Sequence, residues 1–530
     1  MRTWTERSTQ LTGQSMSKSD NDSSYVSRLL DEFRRLASLS LDEQRTEIIA
    51  KRHARGYRSA RENLDDLCDA GSFVEYGQLA VAAQRQRRDI EDLRTNTAAD
   101  GVISGIAAVN AESVGSAGAR TAIIINDYTV LAGTQGYFHH KKIDRVVDLA
   151  ARERLPVIMY TEGGGGRPGD TDITTQVAAL NLPTFARWAG LSGKVPRIAV
   201  NNGFCFAGNA VLFGCADIRI ATKDSWIGMA GPAMIEGGGL GQYAATDIGP
   251  TELHVAQGVV DICAEDEADA TRIARKVLSY FQGPVPSTGH ADQAALRDVL
   301  PHDRRFSYKI RELVEILADV DSFTELTADY GASVITGFLR IEGVPIALLA
   351  NDCSVLGGAI DASAAKKAAR FITMCNAFNM PILSLVDTPG FMVGPKSESE
   401  GAVLYTSDMF VAGASLQVPV VAVCIRKSYG LGSMAMVGGG FDEPAISVAW
   451  PTGEFGPMGL EGAVKLGFRK ELDAVADENE REALFESLVA EMYEKGKATE
   501  VASLLEIDAV IDPADTRDTI CKALGILCQN

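Results

Sequence analysis

The chain has 530 residues, 70 acidic against 51 basic, for a formal net charge of −19. A surplus of that sign excludes a general nucleic-acid or anionic-membrane binder, whose phosphate contacts need lysine and arginine in excess. No apolar run reaches the roughly 18 residues of a membrane span, and the first residues lack the apolar stretch of a secretory signal, so a cytoplasmic location is expected.

Residues 1–24 are polar and rich in Ser, Thr and Asp, the composition of a disordered tail. Val26, Leu29, Leu30, Phe33 and Leu36 recur at helical spacing, and residues 25–66 read as a pair of helices. The stretch 85–99 is charged and expected to be solvated. From about residue 100, short β-rich runs such as TAIIIN (121–126) and VPRIAVN (195–201) alternate with helical stretches. That alternation predicts an α/β fold. The nine cysteines form no CxxC and are expected as packed thiols. The adjacent His139 and His140 point to different faces of a helix, and no HExxH pattern exists, so no metal site is expected.

The most informative feature is an internal repeat. Asn126-Asp127 falls on Asn351-Asp352, an offset of 225. The same offset carries Val130-Leu131 onto Val355-Leu356, Gly133 onto Gly358, Lys141-Lys142 onto Lys366-Lys367 and Pro156 onto Pro381. Two copies of one α/β unit are predicted, with a Pro/Gly-rich boundary at 283–292 followed by a helix near 306–318. The resulting division is residues 25–282 and 283–530. The paired lysines are read as solvated.

Each copy places two glycine-bearing loops directly after predicted strands. They are Glu162-Gly163-Gly164-Gly165-Gly166-Arg167 and Gly203–Ala210 in the first copy, Asp387-Thr388-Pro389-Gly390-Phe391 and Tyr429–Ala435 in the second. Tight turns alone account for some of these glycines. Gly164-x-Gly166-x-x-Gly169 fits a dinucleotide fingerprint, but lacks the acidic residue about 20 positions on. No GxxxxGK[ST] phosphate loop exists. The remaining mechanism is an oxyanion hole, in which small residues let backbone N–H groups face a developing negative oxygen. Neither a GxSxG elbow nor a Ser/His/Asp spacing is present, so the base is expected to come from substrate or cofactor.

The strings ARENLDDLCDAGSFVEYG, ADGVISG, TAIIIND, GCADIRIA, DTPGF and VAWPTGEFGPMGLEGAV follow one another in an order that resembles the carboxyltransferase (β) subunits of biotin-dependent acyl-CoA carboxylases, of the propionyl-CoA and methylcrotonyl-CoA type. The resemblance implies two tandem crotonase-like domains of ββα-superhelix type, the N-terminal one binding acyl-CoA and the C-terminal one biotin. It implies transfer of CO2 from carboxybiotin to the α or vinylogous γ carbon of a short-chain acyl-CoA through an enolate. Biotin would arrive on a biotin carboxyl carrier protein charged by a biotin carboxylase, and the chain would form a homo-oligomer, usually a hexamer. No metal, nucleic acid or membrane is implied.

Carried onto this sequence, Gly164 and Gly165 would hold the thioester enolate oxygen, with Gly163 and Gly166 beside them and Arg167 bracing the loop. Ala207 and Gly208 would line the acyl side. Leu431 and Gly432 would hold the biotin oxygen, among Pro389, Gly390, Phe391 and Gly430. Met434 would help select the acyl group. The sequence departs from the propionyl-type pattern, reading EGGGGR for Ser-Gly-Gly-Ala-Arg and SYGLGSMAM for Phe-Gly-Gly-Ala-Tyr-Asp. A decarboxylase subunit of a sodium-pump complex and a non-catalytic scaffold subunit are the alternative readings.

Overall fold

The computed structural model describes residues 18–174, 178, 180–304 and 306–527, with side chains from residue 25 onward. Of the segment 1–24, residues 1–17 lie outside the described residues, and helix begins at Lys18. The predicted helix pair is three helices, Lys18–Ser38, Thr46–His53 and Ala60–Leu67. A 3-10 turn at Asp42–Gln44 makes the first break, and Gly56, at φ +83, turns the chain at the second. The third helix opens on a capping box: Ser59 Oγ accepts the Glu62 N–H at 3.0 Å, and Glu62 accepts the Ser59 N–H at 2.6 Å.

Two mixed sheets follow. The first runs in chain order through β1 (Val74–Glu75), β2 (Val102–Ala108), β3 (Arg120–Asn126), β4 (Val157–Tyr160), β5 (Arg197–Phe206), β6 (Ile218–Gly228) and β7 (Ile262–Ala264). The second runs through β8 (Thr324–Leu326), β9 (Val334–Ile341), β10 (Val344–Asn351), β11 (Ile382–Thr388), β12 (Val420–Tyr429), β13 (Ile446–Ala449) and β15 (Ala509–Val510), with β14 (Glu454–Gly456) also pairing β12. The repeat is visible in the register. Ala122 pairs Val157 across β3 and β4, and Ala347 pairs Ile382 across β10 and β11, both pairs related by the offset of 225. In each sheet the first three strands are antiparallel and the rest parallel.

Both faces of the inner strands, such as β3, β4, β9, β10 and β11, are buried, which is why they read as continuous apolar runs. Ile123 and Ile125 join a core shared by the two halves, while Ala122 and Ile124 face a second core behind the first sheet. In β10, Ala347 and Leu349 join the shared core, and Leu348 and Ala350 face a third, behind the second sheet. The helices Glu267–Phe281 and Ala362–Ala377 contribute Ala270, Ala274, Ala365 and Ala368 to the shared core.

Three details differ from expectation. Lys142 is buried, not solvated, and donates to the carbonyls of Ala99 (2.9 Å) and Val102. Lys367 is buried as well, because both amines lie on the helix face turned toward the sheet. Among the described residues seven cysteines are free thiols, but Cys521, in the helix Thr516–Leu524, is disulfide-bonded, for which the sequence carries no signal.

Candidate active site

In each half the loop leaving a central parallel strand abuts the first turn of the helix that follows the next strand. In the first half these are the loop Gly163–Arg167 after β4 and the helix Gly208–Gly214 after β5. The contact requires glycine. Gly165 sits at φ +89, and a Cβ there would lie 2.8 Å from that of Ala207. In the second half the loop Thr388–Phe391 meets the helix Gly430–Met436. A Cβ on Gly432 would lie 2.7 Å from Gly390 Cα.

The backbone bonds decide which amides remain open. Gly163 N–H donates to Phe204 O at 2.7 Å, and Gly164 N–H to Ala132 O at 3.0 Å. Gly165 N–H donates to Asn209 Oδ1 at 3.0 Å, while Asn209 Nδ2 donates to Thr161 O at 3.1 Å. The expected oxyanion donors Gly164 and Gly165 are therefore already engaged, because Ala132 and Asn209 shape the loop through them. Among the described residues, the N–H groups of Gly166 and Gly208 have no acceptor. The second half repeats the pattern. Gly390 N–H donates to Thr388 Oγ1 at 3.1 Å, while Phe391, Leu431 and Gly432 keep N–H groups without acceptors among the described residues. Open first-turn amides also carry the positive end of the helix dipole.

Further groups hold the loops in place. Arg167 is only 3% exposed; it pairs with Asp100 and donates to Thr134 O at 2.7 Å. Gln135 and Ile360, related by the repeat, form matching bridges to Gly166 and Phe391. The Gln135 Nε2 is buried without an acceptor. Leu431 and Met434 are exposed at 62% and 36% in the single chain, and Pro389 and Gly430 are half-buried. No hydrogen bond or ion pair among the described residues joins the first loop cluster to the second.

Sequence reasoning missed two elements. One is a left-handed turn before each loop: Leu131, Ala132 and Gly133 have φ of 50, 54 and 61°, and Leu356, Gly357 and Gly358 have 52, 65 and 87°. Three non-glycine residues there store strain of order 1–2 kcal/mol each. The repeated Val-Leu-x-Gly string was the available signal. The other is the acid at the base of each loop. Glu162 pairs with Arg52 at 2.6 Å, and burial pushes its carboxyl up to about 8 against the pull of that guanidinium. Asp387 pairs with Arg426 at 3.0 Å. His139, fully buried, is pushed well below its ordinary value by desolvation, and no group of three His, Cys, Asp or Glu residues among the described ones could hold a metal.

The Carboxyl transferase domain family matches residues 51–530. The chain belongs to the carboxyl transferase family. Its sequence is 30% identical over 504 residues to the propionyl-CoA carboxylase beta chain of Saccharopolyspora erythraea, covering 91% of this chain and 89% of that one. Among solved structures it is similar to a single-chain, multi-domain long-chain acyl-CoA carboxylase, at 52% identity and TM-score 0.88. That likeness covers 93% of this chain, which spans 48% of the longer protein. It is also similar to transcarboxylase 12S, described as a hexamer with methylmalonyl-CoA and methylmalonic acid bound, at 28% identity and TM-score 0.82, covering 99% and 98%. This carboxyl transferase thus has the expected tandem crotonase-like α/β fold. No described helix is long and apolar enough to cross a membrane.

Proposed function

We propose that this carboxyl transferase moves a carboxyl group from carboxybiotin, carried by a separate protein or module, to the α or vinylogous γ carbon of an acyl-CoA. The observation that carries the reading is the duplicated set of open amides, one set for each of two oxygens that gain negative charge. In the first half, Gly166 and Gly208 hold the thioester oxygen as the enolate forms, with Gln135 Nε2 as a third donor. Gly164 and Gly165 shape that loop, Gly163 anchors it to β5, and Ala207 lines the acyl side. A preorganised donor of this kind contributes about 3–4 kcal/mol to the transition state.

The second set, Phe391, Leu431 and Gly432, suits an uncharged ring bearing one carbonyl oxygen. Its donors are all backbone, and the exposed Leu431 and Met434 beside them are apolar. Pro389, Gly390 and Gly430 complete that wall. Bound carboxybiotin supplies CO2 and, in its ureido nitrogen, the base for the α-proton. The chain positions the two oxygens and leaves room for the carbon between them.

The complete site is formed by the first half of one subunit and the second half of another, in a homohexamer, a reading supported by the hexamer of the similar transcarboxylase 12S. The 52% identity to part of a long-chain enzyme, against 30% to a propionyl-CoA one, supports an acyl chain longer than propionyl. The test is CO2 release by the purified oligomer with free biotin, from methylmalonyl-CoA and from a 2-carboxylated long-chain acyl-CoA. A kcat/KM about tenfold higher for the long chain is expected, about 1.4 kcal/mol of transition-state binding. The reverse preference refutes the chain-length reading. No turnover on either, even with biotin carboxylase and carrier added, refutes the transferase. Met434→Ala should shift the preference further toward bulk; an unchanged profile removes Met434 from the pocket.

A further inference from the structure

Between the two halves of the chain lies a cavity of about 320 Å3, at the small end of the range for ligand sites. Asp217, Arg219 and Asp261 come to it from the first half, and Lys366, Lys367 and Arg370 from the second. It opens beside the N-terminal ends of β6 and β7, whereas the glycine loops leave the C-terminal ends of β4 and β5. It is not part of the site described above.

The charges lining this cavity do not balance, and the acids that attract Lys367, Glu325, Asp329 and Asp361, lie outside the lining. Asp217 already takes a paired contact from Arg197, at 2.8 and 3.1 Å. Asp261 takes one from Arg219, at 2.9 and 3.0 Å. Arg370 is left with the Asp217 carbonyl at 3.1 Å and a distant 3.7 Å approach to Asp261. Lys366 lies over the Tyr405 ring at 5.3 Å.

The repeat sharpens the case for Lys367. Its counterpart Lys142 gives its ammonium two carbonyls. Lys367 is equally buried but has one carbonyl, Thr327 O, at 3.2 Å, and no carboxylate within 4.0 Å among the described residues. An ammonium carries three donors, and burying it with one long bond is costly. Burial pushes this amine down to about 8, as it does that of Lys142. Leu326, Tyr330, Phe371 and Met374 give the wall an apolar stretch, beside the polar Gln257, Thr327 and Thr336.

We propose that this cavity binds an organic carboxylate, its charged end on Lys367 and Arg370 and a compact apolar body on Phe371 and Met374. Such a ligand would bridge the two halves without entering the reaction site.

The probe is 4-fluorobenzoate, titrated into the whole oligomer and followed by 19F NMR. Saturable binding is expected, weakened about tenfold or more by Lys367→Met and by replacing the probe with 4-fluorobenzyl alcohol. Met374→Trp fills the cavity, keeps both cations and should abolish binding, so the proposal stays testable if Lys367→Met does not fold. Saturating acetyl-CoA should leave the probe in place. No saturation up to about 10 mM, equal binding of the alcohol, insensitivity to both variants, or displacement by acetyl-CoA would each overturn it.

Discussion

Replacing Arg167 by methionine tests whether a buried ion pair holds the first glycine loop. The guanidinium is 3% exposed and its partner Asp100 is fully buried. Removing the cation strands a carboxylate in the interior, which costs about 3–5 kcal/mol. The Asp100 carboxyl already lies above its ordinary value, because burial outweighs the attraction of Arg167. Without Arg167 it rises further. The folded state then binds more protons than the unfolded one, so stability falls as pH rises between the unfolded and folded values. The loss should therefore be large at pH 7.5 and smaller at pH 5.5, read from urea midpoints at fixed protomer concentration. Asp100 sits at φ 50, a conformation asparagine tolerates, and its Oδ2 accepts the His139 N–H at 2.7 Å, which an amide oxygen can also accept. The double variant Arg167→Met/Asp100→Asn should thus recover about half of the lost stability. It should not recover turnover, because the bonds from Arg167 to Thr134 are still missing; a loss of about a hundredfold is expected for a displaced loop. A stability loss below about 1 kcal/mol, or one that does not change with pH, refutes the reasoning.

Gly165→Val should cost about 2–4 kcal/mol, from the left-handed φ and the overlap with Ala207, and should remove turnover; a variant with wild-type stability would show that the loop yields without strain. The Glu162 carboxyl, raised by burial to about 8, makes the folded state bind an extra proton between its unfolded value and about 8, so stability should fall with rising pH across that window. Glu162→Gln should flatten that slope in urea titrations, and an unchanged slope assigns it elsewhere. Gly432→Ala places a Cβ 2.7 Å from Gly390 Cα and should abolish turnover while the oligomer, checked by light scattering, persists; normal turnover removes Gly432 from the biotin side.

The architecture was legible where burial and backbone geometry constrain residue type directly. Strands buried on both faces read as apolar runs, and TAIIIN is β3 almost to the residue. The repeat was legible because the same left-handed turn must be built twice. A Cβ on Gly133 would lie 2.7 Å from Glu162 O, and one on Gly358 2.3 Å from Asp387 O, so both positions stay glycine. The state of each amide was not legible. Whether Gly165 N–H is open depends on Asn209, 44 positions away, and Gly164 on the carbonyl of a strained Ala132. Nor did local composition reveal that Arg52, in a charged helix, reaches Glu162 across 110 positions. The paired lysines misled for a related reason: a Lys-Lys string is usually solvated, yet the second lysine of each pair faces the sheet.

The two halves keep one backbone device and change the side chains around it. Gly166 and Phe391 occupy the same place in the bridge to Gln135 and Ile360. One side is a bare amide beside a buried amide group, the other an aromatic ring beside an aliphatic chain. Arg52 anchors the first acid from an N-terminal helix, whereas Arg426 anchors the second from within the sheet. An open N–H presents the same partial charge whatever residue carries it. A duplicated unit can therefore surround its open amides with different walls, while the amides themselves are fixed by strand, turn and helix geometry.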